Sequence, residues 1–135
     1  MAIDSILEPK PLPPARPWGK IFLVTLVVLA IAGALYFQFR NFREETTVKR
    51  FFATLTQADY QTAYRIWQPT PSYTLQSFME DWGPGGPWGR IQTFKILESQ
   101  RRGDSVVVAV EINRRAEPAE IWVSRKDRSL SFPPY

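Results

Sequence analysis

The chain has neither cysteine nor histidine in its 135 residues. Without cysteine there is no disulfide framework, no thiolate nucleophile and no zinc site of the cysteine type. Without histidine the commonest general base, the commonest metal ligand and every serine–histidine hydrolase arrangement are excluded together. The one glycine-rich run, Gly83-Pro84-Gly85-Gly86-Pro87-Trp88-Gly89, lacks the lysine, the hydroxyl and the preceding strand that a phosphate-cradling loop needs, and reads as a rigid turn. No catalytic residue, cofactor or metal site is expected.

The sequence does carry an excess of positive charge, +4 overall. Residues 1–43 hold Lys10, Arg16, Lys20, Arg40 and Arg43 against only Asp4 and Glu8, whereas residues 44–135 hold twelve basic against eleven acidic residues. The excess therefore flanks an apolar run and leaves the rest nearly neutral. A nucleic-acid surface would need a basic stripe with rings for bases to stack on, and the scattered Arg and Lys offer none.

That apolar run, Ile21 to Phe39, is free of charge for 19 positions. As a helix it extends roughly 28 Å, close to the hydrocarbon thickness of a bilayer. Trp18 and Lys20 on one side and Tyr36, Arg40 and Arg43 on the other suit the two interfaces. A cleaved signal peptide is the competing reading, since Ala30-Ile31-Ala32 and Ala32-Gly33-Ala34 have the small-x-small form a signal peptidase accepts. The long proline-rich leader and the apolar residues Leu35-Tyr36-Phe37 beyond that point favour a retained span. Basic residues nearly balance on the two sides, with Glu44 and Glu45 tipping the count toward an N-terminus in the cytoplasm. Ala30, Gly33 and Ala34 form a small-residue notch at which another helix could approach closely in lipid.

Four regions follow: a proline-rich tail over 1–20, a transmembrane helix over 21–39, a juxtamembrane linker over 40–47 and a soluble domain over 48–135. The tail, with Pro11-Leu12-Pro13-Pro14 between Lys10 and Arg16, favours polyproline II and is a candidate docking peptide or a stiff solvated leader. Pro11, Pro13 and Pro14 are its candidate contact residues.

In the soluble part three amphipathic helices are expected. Val48, Phe51, Phe52 and Leu55 keep helical spacing, as do Tyr60, Ala63, Tyr64 and Trp67 after the candidate N-cap Asp59, and Leu75, Phe78, Met79 and Trp82 after Ser72 or Thr74. Beyond the glycine–proline loop the period falls to two. Strands are expected over Ile91 to Ser99, over Val106 to Ile112 on the far side of an Arg102-Gly103-Asp104 turn, around Ile121 and Val123, and over Leu130 to Phe132. The fold class is α+β, three short helices and then an antiparallel sheet of three or four strands.

The helix Val48-Lys49-Arg50-Phe51-Phe52-Ala53-Thr54-Leu55, the following Ala58-Asp59-Tyr60-Gln61-Thr62-Ala63-Tyr64 and the strands around Gly103-Asp104-Ser105-Val106 resemble the nuclear-transport-factor-2-like (NTF2-like) cone fold, small bacterial membrane-anchored members of which share this layout. The resemblance covers about residues 44–135 and departs from the family in its short sheet. It implies a bacterial inner-membrane protein, whose domain the charge count above places outside the cytoplasm. It also implies a concavity in which an apolar ligand would meet Tyr60, Tyr64, Trp67, Trp82 and Trp122. NTF2-like isomerases use a carboxylate base with hydrogen-bond donors, for which Asp59, Glu80 or Asp81 with Tyr60, Tyr64 or Tyr73 would have to serve. No motif aligns these residues, and Asp59 has a cap role, so the expectation is a non-catalytic accessory or assembly subunit of a membrane complex. The alternative is a tethered module binding an apolar small molecule. Expected partners are the bilayer and other membrane-protein subunits, with Trp88, between Pro87 and Gly89, as the exposed contact on the domain.

Overall fold

A computed structural model of the chain describes residues 17–134, so residues 1–16 of the proline-rich tail lie outside them, while its last three residues belong to the first helix. The chain divides into two units between Phe37 and Gln38.

Helix α1 covers Trp18–Phe39. Pro17 precedes it and its carbonyl accepts the first helical bond, from the Ile21 amide at 2.9 Å. Proline suits that place, where an amide hydrogen would have no partner in the helix. None of its side chains is buried. The helix is long and apolar enough to cross a membrane.

The second unit begins with α2, Phe42–Thr56, which opens before the Val48 periodicity starts and takes in most of the expected linker. Asn41 is its cap, and Glu44 and Glu45 in the first turn complement the helix dipole. Its buried stripe is Val48, Phe51, Phe52 and Leu55, with Glu44 one turn earlier. The helix ends in a Schellman arrangement: Ala58 adopts a left-handed φ of 57°, its amide bonds Leu55 O at 3.0 Å, and the Asp59 amide bonds Thr54 O at 2.9 Å. Asp59 then caps the next helix, α3 (Tyr60–Trp67), by accepting from the Thr62 amide at 3.2 Å. A single aspartate thus closes one helix and opens another. Helix α4 (Leu75–Trp82) starts at Thr74, whose hydroxyl accepts from the Ser77 amide at 3.1 Å. It stops at Gly83, where a Cβ would meet Met79 O at 2.4 Å.

Four antiparallel strands follow in the order β1 (Phe94–Arg102), β2 (Ser105–Ile112), β3 (Ala119–Ser124) and β4 (Leu130–Ser131). Gly103, at φ 59°, makes the two-residue turn between β1 and β2. The first strand begins three residues later than its sequence pattern implies. Ile91 is buried in the approach to it, and pairing starts only at Phe94 opposite Ile112. A bulge at Leu97 breaks the register between Ile96 and Glu98. Val106, Val108, Val110 and Ile112 of β2, with Ala119, Ile121 and Val123 of β3, form the buried face of the sheet. Against it pack Phe51, Phe52, Trp67, Phe78 and Trp82 from the three helices. The second unit is therefore an α+β domain with one layer of helices on one face of an antiparallel meander.

Candidate functional site

The sequence singled out five rings as pocket-lining, and the fold does not gather them in one place. Trp67 and Trp82 lie side by side, ring centroids 5.7 Å apart, and both touch Phe51, at 5.2 and 5.3 Å. Trp82 is 2% exposed, so the space between helices and sheet at this point is occupied by protein rather than open. Phe132, half out in solvent, closes the outer side by lying parallel to Trp82 at 5.8 Å and against Trp67 at 5.0 Å. Tyr60 and Tyr64 are half-buried at the border of this cluster. Trp122 belongs to the other face of the sheet. It pairs with Val107, between the inward-facing Ile121 and Val123, and helps to line a separate cleft of about 230 Å³ with Pro133 and Pro134. Alternation along a strand makes this unavoidable, since Ile121 and Trp122 must face opposite ways. Among the described residues the indole nitrogens of Trp82 and Trp122 are buried with no hydrogen-bond partner.

The candidate carboxylates are equally dispersed. Asp59 is solvent-exposed, and its bonds from Thr62 hold its carboxyl below the usual range. An isomerase-type base needs burial and a raised value, so Asp59 has the opposite environment. Glu80 is exposed. Asp81 accepts a hydrogen bond from the Tyr73 hydroxyl at 2.6 Å, and the Tyr64 hydroxyl donates to the Tyr73 carbonyl. Burial, and then the bond to Asp81, push the Tyr73 hydroxyl well above the ordinary tyrosine range. These contacts tie the 68–74 segment to α3 and α4. Among the described residues no group of three or more acidic side chains is placed to hold a metal.

Trp88 is half-buried and held in place. Asn113, at a left-handed φ of 51° just past β2, accepts from the amides of Gln92 and Thr93 at 2.8 and 3.2 Å. The amide group of the same side chain donates to the carbonyls of Trp88 and Arg90 at 3.4 and 3.0 Å. Arg115 donates to the carbonyls of Pro87 and Trp88, and its guanidinium lies 5.4 Å from the centre of the Trp88 ring. Asn113 and Arg115, which hold the Trp88 loop, are not among the residues that periodicity or spacing singles out. Asparagine's tolerance of left-handed backbone after a strand was the only available signal.

A concavity of about 820 Å³ lies between α2 and strand β1, with Ala53, Phe94, Ile96 and Leu97 as its apolar part and Glu45, Lys49 and Lys95 among its charged residues. Nothing in the helical or strand periodicity announces it, because it depends on where α2 crosses the sheet. Its wall is fixed by a polar contact: the Ser99 hydroxyl donates to Glu45 and accepts from the Asn41 amide at 3.1 Å.

On α1, Ala30, Gly33 and Ala34 share one side of the helix, and a Cβ on Gly33 would meet nothing within 4 Å. Pro11, Pro13 and Pro14 lie outside the described residues. Compared with family models, with characterised proteins and with solved structures, the chain matches none.

Proposed function

We propose that this is a single-pass membrane protein whose α+β domain is NTF2-like and serves, without catalysis, as an accessory or assembly subunit of a membrane complex. The observation that carries the proposal is the contrast in burial. Every large apolar side chain of α1 is exposed, while Phe51, Phe52, Trp67, Phe78 and Trp82 of the domain fill its own core. The apolar helix has a use in lipid, and what the domain presents outward are the cleft beside α2, the free edge of β1 and the clamped Trp88 loop. The location in this reading is a bacterial inner membrane, with the N-terminus in the cytoplasm and the domain outside it. Purification of the tagged full chain in mild detergent tests the reading. Stoichiometric co-migration of other membrane subunits is the expected result, and a chain that elutes without them defeats it.

A second reading, a tethered module for an apolar small molecule, is supported by one feature. Phe132 is 40% exposed yet stacks on Trp82 and lies tilted against Trp67, and among the described residues the Trp82 indole nitrogen has no partner. A ligand that displaced Phe132 and supplied an acceptor would gain that contact. Saturable quenching of tryptophan fluorescence by an apolar aromatic probe, enhanced in Phe132→Ala, is the result this reading requires.

A further inference from the structure

Strand β1 is the edge of the sheet, with β2 on one side, and among the described residues no backbone group of 94–102 is bonded on the other. We propose that the segment Glu98–Arg102 of this edge pairs antiparallel with the same segment of a second copy of the chain, about a two-fold axis at Gln100.

The backbone geometry selects which groups are available. In a two-residue hairpin the residues flanking the turn, Arg102 and Ser105, bond to each other. The Arg125 amide bonds Asp104 O at 2.9 Å, which independently places the backbone of Asp104 toward β3 and that of Ser105 toward β1. Counting back along β1, Gln100 and Glu98 also turn their backbone groups to β2. Ser99 and Arg101 turn theirs to the free edge. A register centred on Gln100 sets Ser99 opposite the second copy's Arg101, and Arg101 opposite its Ser99, so outward-facing amides and carbonyls meet one another.

The side chains select the same register. On the outer face of the sheet it places Glu98 opposite the second copy's Arg102, twice by symmetry. Moving the axis to Glu98 sets two carboxylates against each other, and moving it to Arg101 sets two guanidinium groups together. An axis at Ser99 brings Arg101 opposite Leu97, in the bulge. Read antiparallel, Glu98-Ser99-Gln100-Arg101-Arg102 is complementary to itself only about its centre.

The surroundings limit the pairing to a closed dimer. The Leu97 bulge ends the regular edge on one side, and the Gly103 turn ends it on the other. Strand β4, at the opposite edge, has only two residues, and the Pro133 and Pro134 that follow it soon after cannot donate to a ladder. The Ser99 bonds to Asn41 and Glu45 fix the β1 edge before a partner arrives. This inference goes beyond the proposed function and stands on the strand edge. A shared membrane would only raise the concentration at which two copies meet.

The chain has no cysteine, so Gln100→Cys introduces a single thiol, and the full chain is oxidised with copper phenanthroline in its own membranes. The expected product is a reducible species of twice the chain mass, at least five-fold more abundant than with Glu120→Cys on the outer face of β3. In the Gln100→Cys background, Glu98→Arg should reduce the product at least five-fold, and Glu98→Arg with Arg102→Glu should restore it. A product of another mass, equal yields from the Gln100→Cys and Glu120→Cys variants, no product, or no response to the charge changes would overturn the proposal. Other subunits co-purifying with a chain that gives no such product would remove the dimer and leave the accessory reading intact.

Discussion

Helices α1 and α2 are both rich in large apolar side chains, but they distribute them differently around the helix. Along α1 they occur on every side, and the structure buries none of them. Along α2 they form one stripe, Val48, Phe51, Phe52 and Leu55, while Arg43, Lys49 and Arg50 remain exposed. Burial within the chain accounts for that stripe of α2, leaving only Phe42 at its first position exposed among the large apolar residues of this helix, and for none of those of α1. The arrangement of apolar residues around a helix, more than their number, therefore indicates what the helix packs against.

The harshest test of this contrast is removal of the ring at the centre of the core. Phe51 touches Phe52, Trp67, Phe78 and Trp82 at centroid distances of 5.2 to 6.0 Å. Phe51→Ala should destabilise the domain by about 3–5 kcal/mol, read as a lower urea midpoint by tryptophan fluorescence. A loss below about 1 kcal/mol would mean that the cluster does not hold the fold together. The converse change lies in α1. Val27→Arg should cost about 2.5–3.5 kcal/mol of insertion and release chain from membranes at alkaline pH, while the domain's urea midpoint stays where it was. A shifted midpoint would show that α1 and the domain share their stability.

Much of this contrast was legible in the sequence, because periodicity reports burial directly. The stripe of α2, the Asp59 cap, the Gly103 turn and the alternation of β2 could all be read from residue order. The five-ring pocket could not. Trp67 and Trp82 repeat at core spacing whether the core is hollow or filled, and only packing shows that Phe51 and Phe132 occupy the space. Trp122 stands apart from them, because strand alternation between the buried Ile121 and Val123 turns it to the opposite face. Trp88 looked free because its clamp comes from Asn113 and Arg115, about 25 residues away, as a long-range hydrogen bond leaves no periodic trace.

That clamp gives the next test. Asn113→Ala removes bonds to Gln92, Thr93 and Arg90 and leaves alanine at a left-handed φ. A loss of about 1–3 kcal/mol is expected, with faster amide exchange over residues 88–93. Asn113→Gly should relieve the backbone strain without restoring the bonds, so if it matches wild type the side chain contributes nothing. A smaller effect of opposite sign is expected at Ala58, also left-handed and at the Schellman position that favours glycine. Ala58→Gly should stabilise the domain by about 0.5–1 kcal/mol, the relief of strain exceeding glycine's added chain entropy. No change or a loss would show that α2 ends there for another reason.

The smallest effect concerns pH, and its sign separates two kinds of hydrogen bond within the domain. Tyr73 is partly buried and donates to Asp81, so its hydroxyl is held above the ordinary tyrosine value in the folded chain. An unfolded tyrosine ionises near pH 10 by ordinary reference values, roughly. Below that pH both states keep the proton and the folded bond contributes fully. Above it the unfolded state loses the proton while the folded state retains it, so stability falls as pH rises toward the folded value. Asp59 and Asp127 behave in the opposite sense. Their bonds from Thr62 and Ser129 lower their carboxyl values, so their contribution is present at neutral pH and is lost as the solution is acidified below the usual aspartate range. Tyr73→Phe should therefore flatten the alkaline limb of the stability profile and leave the acid limb unchanged, with both limbs read from urea midpoints of the full chain in detergent. An unchanged alkaline slope would mean that neither the burial of the Tyr73 hydroxyl nor its bond to Asp81 persists in solution. The tie between the 68–74 segment and α4 would then rest on the Tyr73 ring packed against Trp67 and Phe78.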